Sequence, residues 1–355
     1  YNPYDVGASA TTRTFEFRGE LILNNQGVQP LTGIEHQLLT YYPAGTASAT
    51  SIFRNTGIIT LNSGSFIVGI NVDSEQTQFI QRARTINAGD IIIKGTQNIG
   101  IDFGQYYSPL NVAVETGHIE VNGSDNYGLR IANVFTGDPN YYSSTTVDGS
   151  DLGKGGIIVK GTHNAGVSLS KQMGSNLIGN ISNLNISVDG IENIGILRRR
   201  DYAQTGNMVF TGSHIQSLGF DANASKSVLL RSDNGNITLD RNITINNGIG
   251  NNIVLQANGA GTSVINNTGR TITLDTGAKT SIGLLSSGTG TLENKGAITV
   301  NEEKSQGIAV LANSSGINSG TIILNGKEAL GVNNAGTFTM AGGAITSGAE
   351  NSIGV

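Results

Sequence analysis

The chain has 355 residues, of which 50 are glycine and only 5 are proline, and charged residues make up 13% of it. Its formal net charge of −5 argues against the broad basic surface that nucleic-acid binding needs. The absence of cysteine excludes a disulfide framework and thiol chemistry. The glycines follow no collagen period and β-branched residues are plentiful, so we expect an ordered, β-rich protein.

A short unit recurs through the first half of the chain. It begins with a glycine, continues with apolar residues two and four positions later, and reaches a second glycine after a nearly constant gap. The unit that starts at Gly57 reaches its second glycine at Gly69. The gap is one residue shorter, and identical, in the three later units, which run from Gly89 to Gly100, from Gly117 to Gly128 and from Gly155 to Gly166.

The unit is most regular near the C-terminus, where its second glycines recur at intervals of about 24 residues. These glycines are Gly283, Gly307, Gly331 and Gly354. The apolar residues alternate with a period of two, which is typical of strands and not of helices. The pattern predicts an all-β fold, a right-handed parallel β-helix with about 24 residues in a basic coil. Between positions 206 and 283 the register of the repeat is looser.

The distance from one unit to the next divides the chain into two halves. The C-terminal units follow each other closely, as from Gly307 to Gly320, whereas the connections from Gly33 to Gly57 and from Gly128 to Gly155 are far longer. Because the gap inside the unit is constant, we expect all insertions at one corner of the coil, in a strip along one side. We therefore predict one continuous domain in which residues 1–205 carry loop insertions and residues 206–355 form coils without them. The last residues fall within a coil, so we expect a segment of a longer stack.

Tyrosine gathers in the predicted insertions, which we place at residues 35–50, 104–112 and 134–153. Each insertion contains a tyrosine pair close to a proline. Exposed tyrosine is a large amphipathic contact group that loses little entropy on binding, which suits recognition of proteins or sugars. The alternative is that these rings only pack the loops against the coils. The tyrosines predicted to bind a ligand are Tyr41, Tyr42, Tyr106, Tyr107, Tyr141, Tyr142 and Tyr202.

One run of positive charge, Arg198-Arg199-Arg200, follows a predicted strand. We expect these residues to be exposed, together with Tyr202, in a short connection at 198–202. Guanidinium groups there could bind an acidic glycan or an acidic patch on a protein. The alternative is a solvated turn without a ligand.

Asparagine recurs two residues before the second glycine of four units. Stacked asparagines tolerate a positive φ at a tight turn and can pass amide hydrogen bonds from coil to coil. We therefore predict a structural ladder formed by Asn98, Asn126, Asn164 and Asn193.

The position two residues after the second glycine is expected to face outward. One such position in each coil would form an outward column of residues along the stack. β-Helices also host polysaccharide lyases and hydrolases, whose sites need carboxylates or basic residues clustered on a column of this kind. No two acidic residues are neighbours on this column, and no metal-ligand spacing occurs in the chain. Ser168-Leu-Ser-Lys171 and Ser232-Asp-Asn234 match two short catalytic motifs, but the third motif of that set is missing, so we take both as chance matches. We therefore expect no enzyme, cofactor or metal site. The column reads Glu35, Asn71, Asp102, Arg130, Ser168 and Leu197.

The unit Gly-x-Ile-x-Val followed by Asn-x-Gly, as in 89–101 and 155–167, resembles the passenger domains of large type V autotransporters. It is most similar to the giant fusobacterial outer-membrane adhesins, which include RadD-like proteins and the galactose-inhibitable adhesins. The resemblance covers residues 50–355 and lies in the style of the repeat. It implies a right-handed β-helix carried outward by a C-terminal β-barrel that this sequence does not contain. It also implies adhesion to other bacteria or to host receptors, and it brings no catalytic residues.

The sequence thus predicts a monomeric adhesin segment on the bacterial surface, exposed from the outer membrane or secreted. Its partner would be a host cell-surface protein or glycan, or another bacterium, and not nucleic acid. Contact with a membrane would come only through the missing barrel. A polysaccharide-cleaving enzyme and a purely structural stalk are the alternatives.

Overall fold

The computed structural model describes residues 12–27, 29–37, 50–73, 81–105, 110–133, 145–149, 156–171, 181–199 and 207–355. This part of the chain consists of strands and turns without any helix. The strands up to residue 200 are β1 Thr12–Phe17, β2 Glu20–Asn25, β3 Leu31–Gln37, β4 Thr50–Asn55, β5 Ile58–Gly64, β6 Ile67–Asp73, β7 Gln81–Asn87, β8 Asp90–Ile93, β9 Ile99–Gln105, β10 Leu110–Glu115, β11 His118–Val121, β12 Tyr127–Asn133, β13 Thr145–Asp148, β14 Ile157–Val159, β15 Ala165–Lys171, β16 Ile181–Ser182, β17 Leu184–Val188 and β18 Ile194–Arg198. The later strands are β19 Asn207–Thr211, β20 Ile215–Phe220, β21 Val228–Ser232, β22 Gly235–Asp240, β23 Ile243–Ile245, β24 Ile253–Asn258, β25 Thr262–Asn266, β26 Thr271–Leu274, β27 Ile282–Ser287, β28 Thr291–Asn294, β29 Ala297–Val300, β30 Gln306–Val310, β31 Ser315–Asn318, β32 Thr321–Leu324, β33 Leu330–Asn334, β34 Thr337–Met340 and β35 Ala344–Ser347.

The chain forms two compact units, residues 1–158 with 167–185, and residues 159–166 with 186–355. In the first unit every third strand joins the same parallel sheet. Sheet 1 contains β1, β4, β7, β10, β13 and β16 in that order. Sheet 2 contains β2, β5, β8 and β11, and sheet 3 contains β3, β6, β9 and β12. One coil therefore contributes one strand to each of three sheets.

The second unit repeats the arrangement. Its sheet 1 contains β19, β22, β25, β28, β31 and β34, and its sheet 2 contains β23, β26, β29, β32 and β35. Its sheet 3 contains β18, β21, β24, β27, β30 and β33. The predicted parallel β-helix is confirmed, and parallel crossovers of this kind are right-handed almost without exception.

The predicted coil length holds in the most regular coils. Ile298 pairs with Ile322, and Gln306 pairs with Leu330, so each of these coils has the length of the sequence repeat. In the first unit the coils are longer, as the pairing of Leu31 with Ile67 shows. Most of the extra length lies between sheet 3 and sheet 1, as predicted from the constant gap inside the sequence unit. The prediction that all insertions share this corner was wrong, because residues 149–156 connect β13 of sheet 1 to β14 of sheet 2.

Alternate apolar residues of each strand fill the interior. In the second unit Ile272, Ile298 and Ile322 stack on successive coils of sheet 2, and none of them is exposed. Their neighbours in sequence face outward, as the period of two requires. Burial of such a column stabilises each coil by about 2 kcal/mol for every isoleucine side chain.

Glycine is required where one coil approaches the next too closely for a side chain. A Cβ atom added to Gly307 would lie 2.8 Å from the carbonyl oxygen of Gly331 and 3.0 Å from Ile322. In the first unit, a Cβ atom on Gly100 would lie 2.7 Å from the carbonyl oxygen of Gly128. The constant second glycine of the sequence unit is therefore explained by contact between backbones.

The predicted asparagine ladder is present at the corner between sheet 2 and sheet 3. The backbone N–H of Asn98 donates to the side-chain oxygen of Asn126 at 2.7 Å, and Asn164 donates to Asn193 in the same way at 2.8 Å. All four side chains are fully buried. The predicted position of the positive φ was wrong, because it belongs to the residue before each asparagine, such as Gln97 with φ 57°.

A second amide ladder, which the sequence reasoning missed, lies at the corner between sheet 1 and sheet 2. In the second unit Asn266 donates to Asn294 at 2.8 Å and Asn294 donates to Asn318 at 2.7 Å. In the first unit Asn55 donates to Asn87 at 2.8 Å. All of these asparagines are fully buried, so the ladder supplies partners to amide groups that water cannot reach, apart from the side-chain oxygen of Asn266 at its start.

We predict that Asn294→Ala lowers the free energy of unfolding by about 2–3 kcal/mol, because the buried side-chain oxygen of Asn318 loses its donor and the amide of Asn266 keeps only its bond to the carbonyl of Ala297. The matched control is Asn325→Ala, which removes an exposed bond to Asn301 of 2.9 Å. We expect that variant to stay within about 0.5 kcal/mol of the wild type. Urea denaturation measures both, and equal shifts would contradict a structural role for the ladder.

A buried histidine adds a pH-dependent term to the stability of the first unit. Burial lowers the pKa of His36 from 6.5 to about 4. The ring is 8% exposed, its Nδ1 lies 3.0 Å from the hydroxyl of Thr85, and its centroid is 6.0 Å from that of Phe53. The folded state therefore holds His36 neutral at pH values at which an unfolded histidine is protonated.

We predict that acidification from pH 7 to pH 5 removes about 2 kcal/mol of stability through His36 alone. The sign follows because the unfolded chain binds the proton below pH 6.5 and the folded chain does so only below about pH 4. Thermal denaturation at both pH values, for the wild type and for His36→Leu, isolates this contribution. An unchanged pH dependence in His36→Leu would refute it.

Candidate functional site

Most insertions of the first unit connect sheet 3 to sheet 1. They follow β3, β6, β9, β12 and β15, which continues sheet 3, and they occupy residues 38–49, 74–80, 106–109, 134–144 and 172–180, which lie outside the described residues. The exception is the connection at 149–156, which runs from β13 of sheet 1 to β14 of sheet 2. In the second unit the corner between sheet 3 and sheet 1 is closed by short turns from β21 onward, for example between β27 and β28 at residues 288–290. We call the corner between sheet 3 and sheet 1 of the first unit the insertion corner.

Most of the predicted contact residues lie outside the described residues. These are Tyr41, Tyr42, Tyr106, Tyr107, Tyr141, Tyr142, Arg200 and Tyr202. The predicted insertion at 134–153 was too long, because it includes β13, whose Val147 is 1% exposed in the core. Likewise, the ranges 35–50 and 104–112 include the ends of strands.

The expected exposure of the arginine run was wrong for Arg198. This residue ends β18 and pairs with the buried Ser232 of β21, so it lies in the column of core positions. It is 2% exposed, and one of its guanidinium nitrogens donates to the backbone carbonyl of Asn236. Burial lowers the pKa of Arg198 to about 10, which still leaves the side chain charged at neutral pH. Arg199 is half-buried.

On the sheet 3 side of the insertion corner, the predicted outward column is in register. Glu35 pairs with Asn71, Asn71 with Asp102, and Asp102 with Arg130, on four successive strands. Arg130 binds both carboxylate oxygens of Asp102, with a distance of 2.9 Å from its Nε. The Asp102 side chain is only 9% exposed, whereas that of Arg130 is 31% exposed. The guanidinium plane is therefore held fixed at the base of the insertions.

On the sheet 1 side, two carboxylates are brought together that the sequence reasoning missed. Glu115 of β10 pairs in register with Asp148 of β13. Arg84 of β7 binds Glu115 through two nitrogens, and the amide of Asn183 donates to Asp148 at 3.1 Å. Only strand register reveals this pair, because the two residues are separated by an insertion. Glu115 and Asp148 end their strands, so this pair lies at the corner between sheet 1 and sheet 2, whereas Asp102 and Arg130 lie on strands that lead into the insertions. Both sets of fixed polar groups can bind hydroxyl, amide or charged groups of a ligand.

The described part of the chain holds no cluster of three or more histidine, aspartate or glutamate residues that could bind a metal ion. Within the same residues, no helix is long and apolar enough to cross a membrane. Comparison with known proteins found no matching family model, no matching curated protein and no matching solved structure.

We predict that Arg198→Ala lowers the free energy of unfolding by about 2–3 kcal/mol, because side-chain packing is lost and a backbone carbonyl is left without its donor. We expect no selective effect of this change on binding. Gly235 marks this packing, since a Cβ atom there would collide with the Arg198 guanidinium. Lys226→Ala is the control, because the Lys226 side chain is 61% exposed and we expect a change within about 0.5 kcal/mol. Chemical denaturation compares them, and an unchanged midpoint for Arg198→Ala would overturn the assignment.

Proposed function

We propose that the chain is a segment of a bacterial cell-surface adhesin of the autotransporter type. Its parallel β-helix holds the insertion corner of the first unit outward, and the loops there bind a protein or glycan on a host cell or on another bacterium. The observation that carries the proposal is the concentration of long connections at one corner of the first unit, where most of them lie. Insertions on one face of a solenoid are typical of its binding surface.

A fixed ion pair on sheet 3 supports the same proposal. Arg130 holds Asp102 on strands of sheet 3 that lead into the insertions. Groups held by such a pair lose little freedom when a ligand binds, which favours affinity. The tyrosine pairs of the insertions add large amphipathic side chains to the proposed contacts.

A polysaccharide-cleaving enzyme is the second candidate, and one observation favours it. Glu115 and Asp148 are register partners, and two neighbouring carboxylates are the usual requirement for glycoside hydrolysis. An enzyme predicts that Glu115→Gln abolishes the release of reducing sugar ends from a polysaccharide while leaving binding intact. A purely structural stalk predicts that neither binding nor turnover changes in any variant.

We predict that replacing residues 138–144 by a short Gly-Ser turn removes binding of the chain to epithelial or bacterial cells. The change spares β13, so the circular dichroism spectrum and melting curve should match those of the wild type. The control replaces residues 288–290, the corresponding turn of the second unit, and should bind as the wild type does. Flow cytometry of labelled chain on cells measures binding.

The two classes of ligand are separated by oxidising the cell-surface sugars with periodate before the assay. Loss of binding to treated cells would identify a glycan, and retained binding a protein. Equal binding by the wild type and the 138–144 variant would refute the role of this loop. Absence of binding by the wild type would favour the stalk.

A further inference from the structure

The chain contains five Asn-Gly dipeptides, and all of them lie in its described part. They are Asn122-Gly123, Asn234-Gly235, Asn247-Gly248, Asn258-Gly259 and Asn325-Gly326. Glycine has no side chain, so its backbone nitrogen is little hindered when it approaches the side-chain amide of the preceding asparagine. The five dipeptides share this sequence, and they differ in how the fold holds the glycine nitrogen.

In two of the dipeptides the glycine nitrogen is directed at the asparagine side chain. The N–H of Gly123 donates to Oδ1 of Asn122 at 2.8 Å, and the N–H of Gly248 donates to Oδ1 of Asn247 at 3.1 Å. A carbonyl bond is about 1.2 Å long, so each nitrogen lies at most about 4.3 Å from the Cγ atom. The fold therefore holds the two atoms of a ring closure close together, and little orientational freedom remains to be lost.

In the other three dipeptides the glycine N–H belongs to the hydrogen bonds between coils. Gly235 donates to the backbone carbonyl of Gly261 at 3.2 Å, Gly259 to that of Ser287 at 3.0 Å and Gly326 to that of Val300 at 2.9 Å. The side-chain amides of Asn258 and Asn325 also donate, to Asp233 and Asn301. Attack by these three nitrogens first requires that a bond between coils be broken, which opposes the reaction.

Exposure differs between the two dipeptides with a directed nitrogen. Asn122 and Gly123 are both half-buried, whereas Asn247 is exposed and Gly248 is buried. The glycine nitrogen has to lose its proton to a base in solution before it attacks, and water is needed to open the product ring. We therefore expect position 122 to react faster than position 247.

We propose that Asn122 and Asn247 are sites of spontaneous modification, at which the fold promotes conversion of asparagine to aspartate and isoaspartate. The deprotonated glycine nitrogen attacks Cγ, the bond from Cγ to Nδ2 breaks, and Nδ2 takes a proton from solvent and leaves as ammonia. Water then opens the cyclic imide, and the glycine nitrogen regains its proton. Addition of water at Cγ yields aspartate, and addition at the backbone carbonyl yields isoaspartate, whose main chain runs through Cγ.

The modification changes the corner between sheet 2 and sheet 3 of the first unit. Asn122 continues the pairing of β11 with β8, which places it next to Lys94 on the preceding coil, and the new carboxylate adds a negative charge there. The side-chain amide of Asn126, a member of the ladder, donates to the backbone carbonyl of Asn122 at 2.6 Å. Isoaspartate converts this carbonyl to a free carboxylate and lengthens the main chain. Aged chains therefore differ from new ones in charge and in one anchor of the ladder, without the action of an enzyme.

Peptide mapping by mass spectrometry tests the proposal on the native chain after incubation at neutral and at mildly alkaline pH. We expect conversion at positions 122 and 247 to be at least tenfold faster than at positions 234, 258 and 325. Both conversions should accelerate at the higher pH, because the attacking nitrogen must be deprotonated. An isoaspartate-specific methyltransferase labels the isoaspartyl product. Equal rates at all five positions, or no conversion at 122 and 247, would overturn the proposal.

Incubation in guanidinium chloride separates the effect of the fold from that of the sequence. In the unfolded chain all five glycine nitrogens are exposed to water, so the tenfold difference should disappear. The same ranking of rates in the native and the unfolded chain would refute a role of the fold. The matched variant is Asn122→Gln, whose longer side chain would have to close a larger ring. It should remove conversion at position 122, leave the rate at position 247 unchanged and keep the melting curve of the wild type.

Discussion

The close approach of each coil to the next is the constraint on which the rest of this structure depends. Parallel strands of successive coils lie about 4.8 Å apart, and at some positions the two backbones leave no room for a side chain. Glycine occupies such positions, as at Gly307 against the carbonyl oxygen of Gly331. At corners that do hold a buried side chain, asparagine fills the space and hydrogen bonds to the asparagines of neighbouring coils, as Asn294 does. Glycine and asparagine therefore meet two requirements of the same close stacking.

The features that could be predicted from the sequence are those that repeat. The glycine spacing predicted the coil, and the recurrence of asparagine predicted the ladder that includes Asn98 and Asn126. The ladder of Asn55 and Asn87 also had a signal, because each precedes a first glycine by two residues, but that spacing was not recognised. The residues with positive φ gave no signal, since very different side chains occupy equivalent positions.

Features that depend on strand register could not be predicted. Arg198 belongs to a run of three arginines that looks like an exposed turn, yet the register of β18 with β21 places it among the core positions. The pairing of Glu115 with Asp148 depends on the return of the chain to sheet 1 after an insertion whose length hides the register. Side-chain pairs between coils follow from the fold only after the register is known.

The corners of the coil differ in how much change in length and sequence they accept, and the proposed binding surface lies at the corner that accepts most. Two corners of the coil hold glycine and amide columns, whereas the third corner, where the structure describes it, carries no asparagine ladder and tolerates connections of very different length. The proposed ligand contacts occupy this third corner in the first unit.

The corner between sheet 2 and sheet 3 of the second unit accepts side chains of different charge. The residues with positive φ before its ladder, including His163, Glu192, Lys226 and Glu328, share φ values between 53° and 57° although their charges differ. The backbone conformation at these positions therefore does not depend on the charge of the side chain, so the surface charge of this corner can be changed without a large change in folding stability.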